Sequence, residues 1–308
     1  MTISATIGAP IINALTIDVE DYFQVSAFAP YVSRAEWDTT ECRVERNIDV
    51  ILRLLEEHRV RATFFTLGWI AERYPHMIRR IALNGHEIAS HGYGHHRASD
   101  QEAEFFLSDI KLAKLLLEDL TGTQVKGYRA PSFSVGPANP WAFDCIERAG
   151  YVYSSSVYPI RHDHYGAPDA PRFAHRIRPN LLEVPITTVH ALGRNWPAGG
   201  GGYFRLLPYA VSRWALKRVN ATERASAIFY FHPWELDPQQ PRMRGIDMRT
   251  RFRHYLNLDC VEARLRRLLS DFRWGRADEI FLAPEARSGA APDRVQITRP
   301  SKAAPPGA

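Results

Sequence analysis

Four short segments of the 308-residue chain carry side chains that could act together on a substrate. Asp18-Val-Glu-Asp21 places three carboxylates in four residues, which repel one another unless a cation or an arginine lies among them. His91-Gly-Tyr-Gly-His95 offers two imidazoles, the usual ligands for zinc and related divalent metals. Gly92 and Gly94 argue for a loop there, one that turns both rings toward a common point. Arg129, within Gly127-Tyr-Arg-Ala-Pro131, could hold a carboxylate through paired hydrogen bonds. His232, which follows Ile228-Phe-Tyr-Phe231, is a candidate for proton transfer. Each segment alone is ordinary: an acidic loop, surface histidines, an ion pair, a core histidine. Together, two histidines and one carboxylate leave an open coordination position, which a hydrolytic metal site requires.

The elements that must position them read as short apolar runs alternating with amphipathic stretches, the pattern of a mainly parallel sheet wrapped by helices. Strands are predicted at Leu15-Thr-Ile17, 62–67, 87–90, 127–129, 151–153, 182–184 and 228–231. Each chemically capable segment falls at the C-terminal end of one of them, the edge on which parallel α/β folds build sites. Helices are expected where Val44, Ile48, Ile51, Leu52 and Leu55 recur, from Pro75 to Asn84-Gly85, near Pro208 to Val219 and near Val261 to Phe272. Ser99-Asp-Gln-Glu102 has capping-box spacing and predicts the start of a helix that runs to Thr121-Gly122. The fold class expected is α/β, a barrel of mainly parallel strands in one domain.

A composition of 45% hydrophobic and 24% charged residues excludes disorder as the dominant state. The net charge of +5 is uneven: residues 242–276 hold ten arginines and four acids, and the rest is nearly neutral. That distribution is a poor electrostatic footprint for nucleic acid. The late basic helix, with Leu265, Leu268 and Leu269 on one side, reads as packing against the barrel or as a dock for an acidic polymer or lipid diphosphate. Cys42, Cys145 and Cys260 form no Cys-x-x-Cys pair and signal neither disulfides nor a thiolate zinc site. The N-terminus lacks signal-peptide features and no run reaches membrane-span length, so the location expected is cytoplasmic.

In order and spacing, Thr16-Ile-Asp18, His91-Gly-Tyr-Gly-His95, Arg129-Ala-Pro131 and Tyr230-Phe-His232 resemble the motifs of the polysaccharide deacetylases, carbohydrate esterase family four. The match runs from residue 12 to about 235. Asp18-Val-Glu-Asp-Tyr-Phe-Gln24, Gly200-Gly-Gly-Tyr-Phe-Arg-Leu-Leu-Pro208 and His232-Pro-Trp-Glu-Leu-Asp-Pro238 are similar to a branch associated with exopolysaccharide and exosortase systems, which carries its own C-terminal extension. The resemblance implies a distorted, seven-stranded (β/α) barrel. It also implies a divalent metal, usually zinc, and hydrolysis of N-acetyl groups on an amino-sugar polymer.

The domains it implies are an N-terminal segment 1–11, a catalytic barrel 12–240, an arginine-rich extension 241–285 and a disordered tail 286–308. By the same resemblance Asp18 is the general base, His91 and His95 are metal ligands, Arg129 positions the base, and His232 is the general acid. The N–H of Ser132, just after Pro131, is the candidate oxyanion donor.

Three departures from the family pattern stand out. Val19 occupies the place of the usual metal carboxylate, so the third ligand must be Glu20, on the strand face of Asp18, or Asp21 after a turn. Relatives beginning Asp-Val-Asp use the second position after the base, which favours Glu20. Gly92 stands where a hydroxyl residue is usual, and Tyr153-Ser-Ser-Ser156 lacks a customary aspartate. Gly199 to Tyr203 reads as a mobile rim loop where Tyr203 and Trp196 could stack on a sugar. The partner expected is an N-acetylated polysaccharide or oligosaccharide, with peripheral contact to a lipid-linked substrate and no nucleic acid. Alternatives are a hydrolase of small cyclic amides or ureides, or a silent carbohydrate-binding protein on the same fold.

Overall fold

The computed structural model describes residues 10–162 and 165–282; the expected tail and most of the expected N-terminal segment lie outside them. Among the described residues eleven strands form in chain order: β1 Ile12–Val19, β2 Thr63–Thr66, β3 Glu87–Ser90, β4 Gly127–Tyr128, β5 Tyr153–Ser154, β6 His175–Arg178, β7 Leu181–Glu183, β8 Thr188–Ala191, β9 Arg194–Pro197, β10 Ile228–Phe231 and β11 Arg273–Gly275. Ten helices accompany them: α1 Val44–Glu57, α2 Gly68–Arg73, α3 Pro75–Leu83, α4 Ala103–Thr121, α5 Trp141–Arg148, α6 Gly202–Leu206, α7 Tyr209–Thr222, α8 Met248–Tyr255, α9 Val261–Asp271 and α10 Ala277–Phe281.

The main sheet runs β10-β1-β2-β3-β4-β5-β7-β6, parallel throughout except for the β6–β7 pair. Parallel strands buried on both faces read as nearly continuous apolar runs, and β1 is buried from its second residue to its last. Side chains nevertheless alternate between two layers. Leu15, Ile17, Val19, Phe64, Ile88, Phe229 and Phe231 pack outward with the helices. Ala14, Phe65, Ala89, Tyr153, Ile228 and Tyr230 form a separate cluster in the lumen. Thr16 and Asp18 follow Ala14 on the lumen face, and the period of two points the chain's charge inward at the end of β1.

Two expectations change. The helix predicted from Ser99 begins at Ala103, because Ser99 Oγ donates to Asp100 Oδ1 (2.7 Å) inside a short 3₁₀ turn and caps no helix. The glycine run is no mobile rim loop, because it closes the barrel. Val184 N donates to Ser154 O (2.7 Å) and Ile186 N to Val157 O (2.9 Å), which carries the β7 side onward. Ala198 N then donates to Thr187 O (3.1 Å), Tyr230 N to Gly199 O (2.7 Å) and Gly201 N to Tyr230 O (3.0 Å). Glycine is required at this seam: a Cβ on Gly200, at φ +110°, would collide with the Tyr230 carbonyl oxygen.

The segment after residue 240 returns to the barrel. β11 pairs with the first residues of β1, and α10 closes the opposite end from the strand C-termini. There Ala277 N donates to Thr63 Oγ1 (2.8 Å) and Asp278 N to Glu87 Oε2 (3.1 Å), while Tyr153 OH donates to Glu87 Oε1 (2.9 Å). The three cysteines are free thiols. Among the described residues no helix is long and apolar enough to cross a membrane.

The seam makes a prediction. Gly200→Ala should cost at least about 3 kcal/mol of unfolding free energy or prevent folding. Gly122→Ala, at a positive φ with open space around it, should cost about 1 kcal/mol. Denaturant titration of both variants checks this, and equal losses would refute the closure.

Candidate metal-centred active site

The site lies where the ends of β1, β3, β4 and β10 converge. At its base is Arg129, wholly buried just beyond β4, with its guanidinium stacked over the Phe65 ring at 4.0 Å. Its N–H groups donate to Asp18 Oδ1 (2.6 Å), Thr16 Oγ1 (2.8 Å), Ser155 O (3.1 Å) and Ser155 Oγ (2.9 Å). A buried arginine is tolerated only with this degree of satisfaction, and its partner Asp18 is thereby held in one rotamer. The serines that replace the family's aspartate serve this web. Ser156 Oγ accepts from Ala130 N (2.9 Å), and Glu183 Oε1 accepts from Ser156 N and Val157 N, both at 2.9 Å.

Glu20, His91 and His95 are buried and bring one ligand atom each within 4.8 Å of the others. His91 Nδ1 bonds Arg129 O at 2.8 Å, which leaves Nε2 for the site. Burial lowers the His91 pKa to about 4, so the ring is neutral and able to ligate. Glu20 Oε2 is buried without a hydrogen bond, although His95 Nε2 lies 2.7 Å from it. Burial opposes ionisation of Glu20, but His95, His232 and His91 outweigh it and bring its pKa down to about 2. An ionised, orphaned carboxylate oxygen against two imidazoles fits a divalent cation.

Asp21 has a different task. Its carboxylate accepts from Tyr22 N (2.7 Å), Val44 N (2.8 Å) and Arg43 N, tying the turn after β1 to the start of α1. It is committed to these backbone donors and stands outside the cluster, so of the two carboxylates left open by the sequence Glu20 is the one placed for a cation.

His232, at the end of β10, faces both carboxylates, with Nε2 3.5 Å from Glu20 Oε1 and 3.9 Å from Asp18 Oδ2. Nδ1 bonds Glu235 Oε1 at 2.6 Å, and Glu235 Oε2 accepts from Arg205 Nε of α6 at 2.8 Å. Burial would lower the His232 pKa, but Glu20, Glu235 and Asp18 raise it to about 9. Ser132 and Phe133 follow Pro131 at φ +54° and +49°, and His95 sits at φ +52°. Left-handed backbone at three non-glycine residues around one site is strain held in place by the surrounding packing. Ser132 Oγ donates to Ser26 Oγ (2.6 Å). Tyr203, half-buried on α6, packs against the lumen cluster that contains Tyr158 and Tyr230.

Several positioning residues escaped the sequence. Asp109 of α4 accepts from Tyr93 N (2.9 Å) and Gly94 N (3.2 Å), and Arg34 donates to Gly94 O (2.7 Å) and His95 O (3.0 Å). Gly92 is explained by the same clamp: at φ +79°, a Cβ there would press on Asp109 Oδ2. Asp109 and Arg34 carry no local signal, because their partners are backbone atoms brought by the fold. Glu235 did have a signal, three residues after His232 in a turn whose capping box both residues close.

With this geometry in place, the comparisons are informative. Residues 37–153 match the family model described as polysaccharide deacetylase, and residues 155–282 match one described as a domain of unknown function, DUF3473. The chain carries a polysaccharide deacetylase family domain. The chain is 37% identical over 81 residues to a peptidoglycan-N-acetylglucosamine deacetylase of Bacillus cereus, covering 26% of this chain and 30% of that protein. It is 35% identical over 82 residues to a chitooligosaccharide deacetylase of Azorhizobium caulinodans, covering 26% and 39%. With a chitooligosaccharide deacetylase of Bradyrhizobium it shares 44% over 132 residues, covering 36% and 58%. The chain thus spans well under two thirds of these relatives. A solved structure from Mycobacterium smegmatis, described among the polysaccharide deacetylases, superposes with TM-score 0.59 at 20% identity over 94% of this chain and 97% of that one. It establishes the deacetylase fold across both matched regions.

The cluster predicts that metal-stripped protein takes up one equivalent of Zn²⁺ or Co²⁺. His91→Ala and Glu20→Ala should abolish uptake, and Asp109→Ala should weaken it by about 10-fold to 100-fold. Asp21→Asn should keep the stoichiometry and lower the melting temperature. Metal analysis and Co²⁺ absorbance decide it; loss of metal in Asp21→Asn with retention in Glu20→Ala would reverse the assignment.

Proposed function

We propose that the chain is a metal-dependent N-deacetylase of amino sugars in an exopolysaccharide or its oligosaccharide precursor. The observation that carries this reading is that Asp18 Oδ2 and His232 Nε2, 3.9 Å apart, stand beside the Glu20, His91 and His95 cluster: a candidate proton acceptor and a candidate proton donor adjoin one candidate cation position. The named relatives support the substrate class, and the ligand set, two imidazoles with one carboxylate, makes zinc the leading cation. When bound, the cation supplies Lewis-acid polarisation of the acetyl carbonyl and acidifies water.

The remaining work falls to the chain. Arg129 holds Asp18 Oδ1, so Oδ2 is left to take the proton of the attacking water. The Ser132 N–H, in the left-handed turn after Pro131, is the proposed donor to the oxyanion. His232 Nε2 delivers a proton to the departing amine, and its raised pKa keeps it protonated near neutrality; a cation beside Glu20 would reduce that rise. Glu235 accepts from His232 Nδ1 and fixes the angle of the ring, and Arg205 fixes Glu235. Tyr203, half-buried against the lumen cluster, is a candidate sugar contact.

Acetate release from N-acetylated oligosaccharides tests the reading. Asp18→Asn should bind metal and lose turnover. Glu235→Gln should slow amide cleavage by about 100-fold while sparing an aryl acetate whose leaving group needs no proton. Equal losses on both substrates would assign Glu235 a purely structural role, and full acetate release by His91→Ala would remove the metal mechanism.

A further inference from the structure

Helix α8 has two faces with different tasks. On its buried face His254 stacks on Trp234 (centroids 4.2 Å, 14°), and Trp234 stacks in turn on His232 (5.2 Å, 18°). On its outer face Met248 and Phe252, four residues apart, are 78% and 58% exposed. Tyr31 stands beside them at 38% exposure, its hydroxyl donating to Asp247 Oδ2 (3.1 Å).

The charge along this segment is mostly positive. Residues 241–255 contain five arginines, at 242, 244, 249, 251 and 253, all exposed, against one acid, Asp247. That acid is engaged at the helix N-terminus, where it accepts from Arg249 N (2.9 Å) and Thr250 N (3.0 Å). Other arginines of the basic segment are consumed by the fold: Arg264 donates to the carbonyls of Phe204, Arg205 and Leu207, and Arg276 pairs with Asp278. Five exposed arginines against one acid thus give α8 and the turn before it a net positive surface.

We propose that this face docks the protein on an anionic lipid bilayer. Cationic charge alone would suit any polyanion, but two large apolar side chains held in water at its centre favour a partner with an apolar interior. Met248 and Phe252 can enter the headgroup and acyl boundary while the arginines reach lipid phosphates. Because the buried face of α8 touches the stack on His232, docking would place the membrane on the side of α8 away from that stack. The inference stands on the exposed face and does not require the deacetylase reading.

Co-sedimentation of the full chain with phosphatidylglycerol/phosphatidylcholine vesicles, and with phosphatidylcholine alone, tests it. Binding should occur only to the anionic vesicles, weaken by about tenfold or more in Met248→Ser/Phe252→Ser, and weaken similarly in Arg244→Glu/Arg251→Glu. Melting temperature and acetate release from a soluble oligosaccharide should not change in either variant. Absence of binding to anionic vesicles overturns the proposal. Binding that depends on the arginines but not on Met248 and Phe252 also overturns it, and assigns the face to a soluble acidic polymer.

Discussion

The structure depends on one buried cation, the guanidinium of Arg129. Placed inside the barrel with no exposure to water, it would be severely destabilising without its four hydrogen bonds and its stack on Phe65. Satisfying it recruits Thr16 and Asp18 from the first strand and Ser155 from beyond the fifth. The same residue's carbonyl holds the His91 ring. One residue thus links the candidate proton acceptor, a candidate metal ligand and the register of strands that are distant in sequence.

The two family matches meet between residues 153 and 155, at the fifth strand, and neither half is a barrel without the other. The first match begins after the Asp18 to Asp21 cluster, and the second contains His232, Glu235 and Arg205. Closure joins the halves through glycines that allow backbone to approach backbone, and α10 plugs the far end. Physically, the region of unknown function completes the sheet, supplies the candidate acid and buries its support. Its arginines divide between fold and surface, which is why net charge alone was a poor guide to function.

Much was legible because strand-end chemistry follows from a period of two and from segment order. Asp18 and Glu20 share a face by alternation, which favoured Glu20, and it is Glu20 that lies beside the two histidines. Local patterns misled where a competing partner lay nearby or far away. Ser99 met Asp100 instead of a helix, Asp21 met the amides that start α1, and a glycine run that looked mobile met β10. The serines after Tyr153 looked like a missing function and proved to be the seat of Arg129.

The sequence alone determined the parallel α/β architecture, the strand ends that carry chemistry, and the residue types that meet there. These are properties of local periodicity and side-chain identity. Tertiary structure alone decided which amides occupy Asp21, what holds the histidine loop, and where the barrel closes. Those outcomes depend on backbone donors and acceptors contributed by remote segments. Every residue carries nearly the same amide, so no pattern of side chains could announce them.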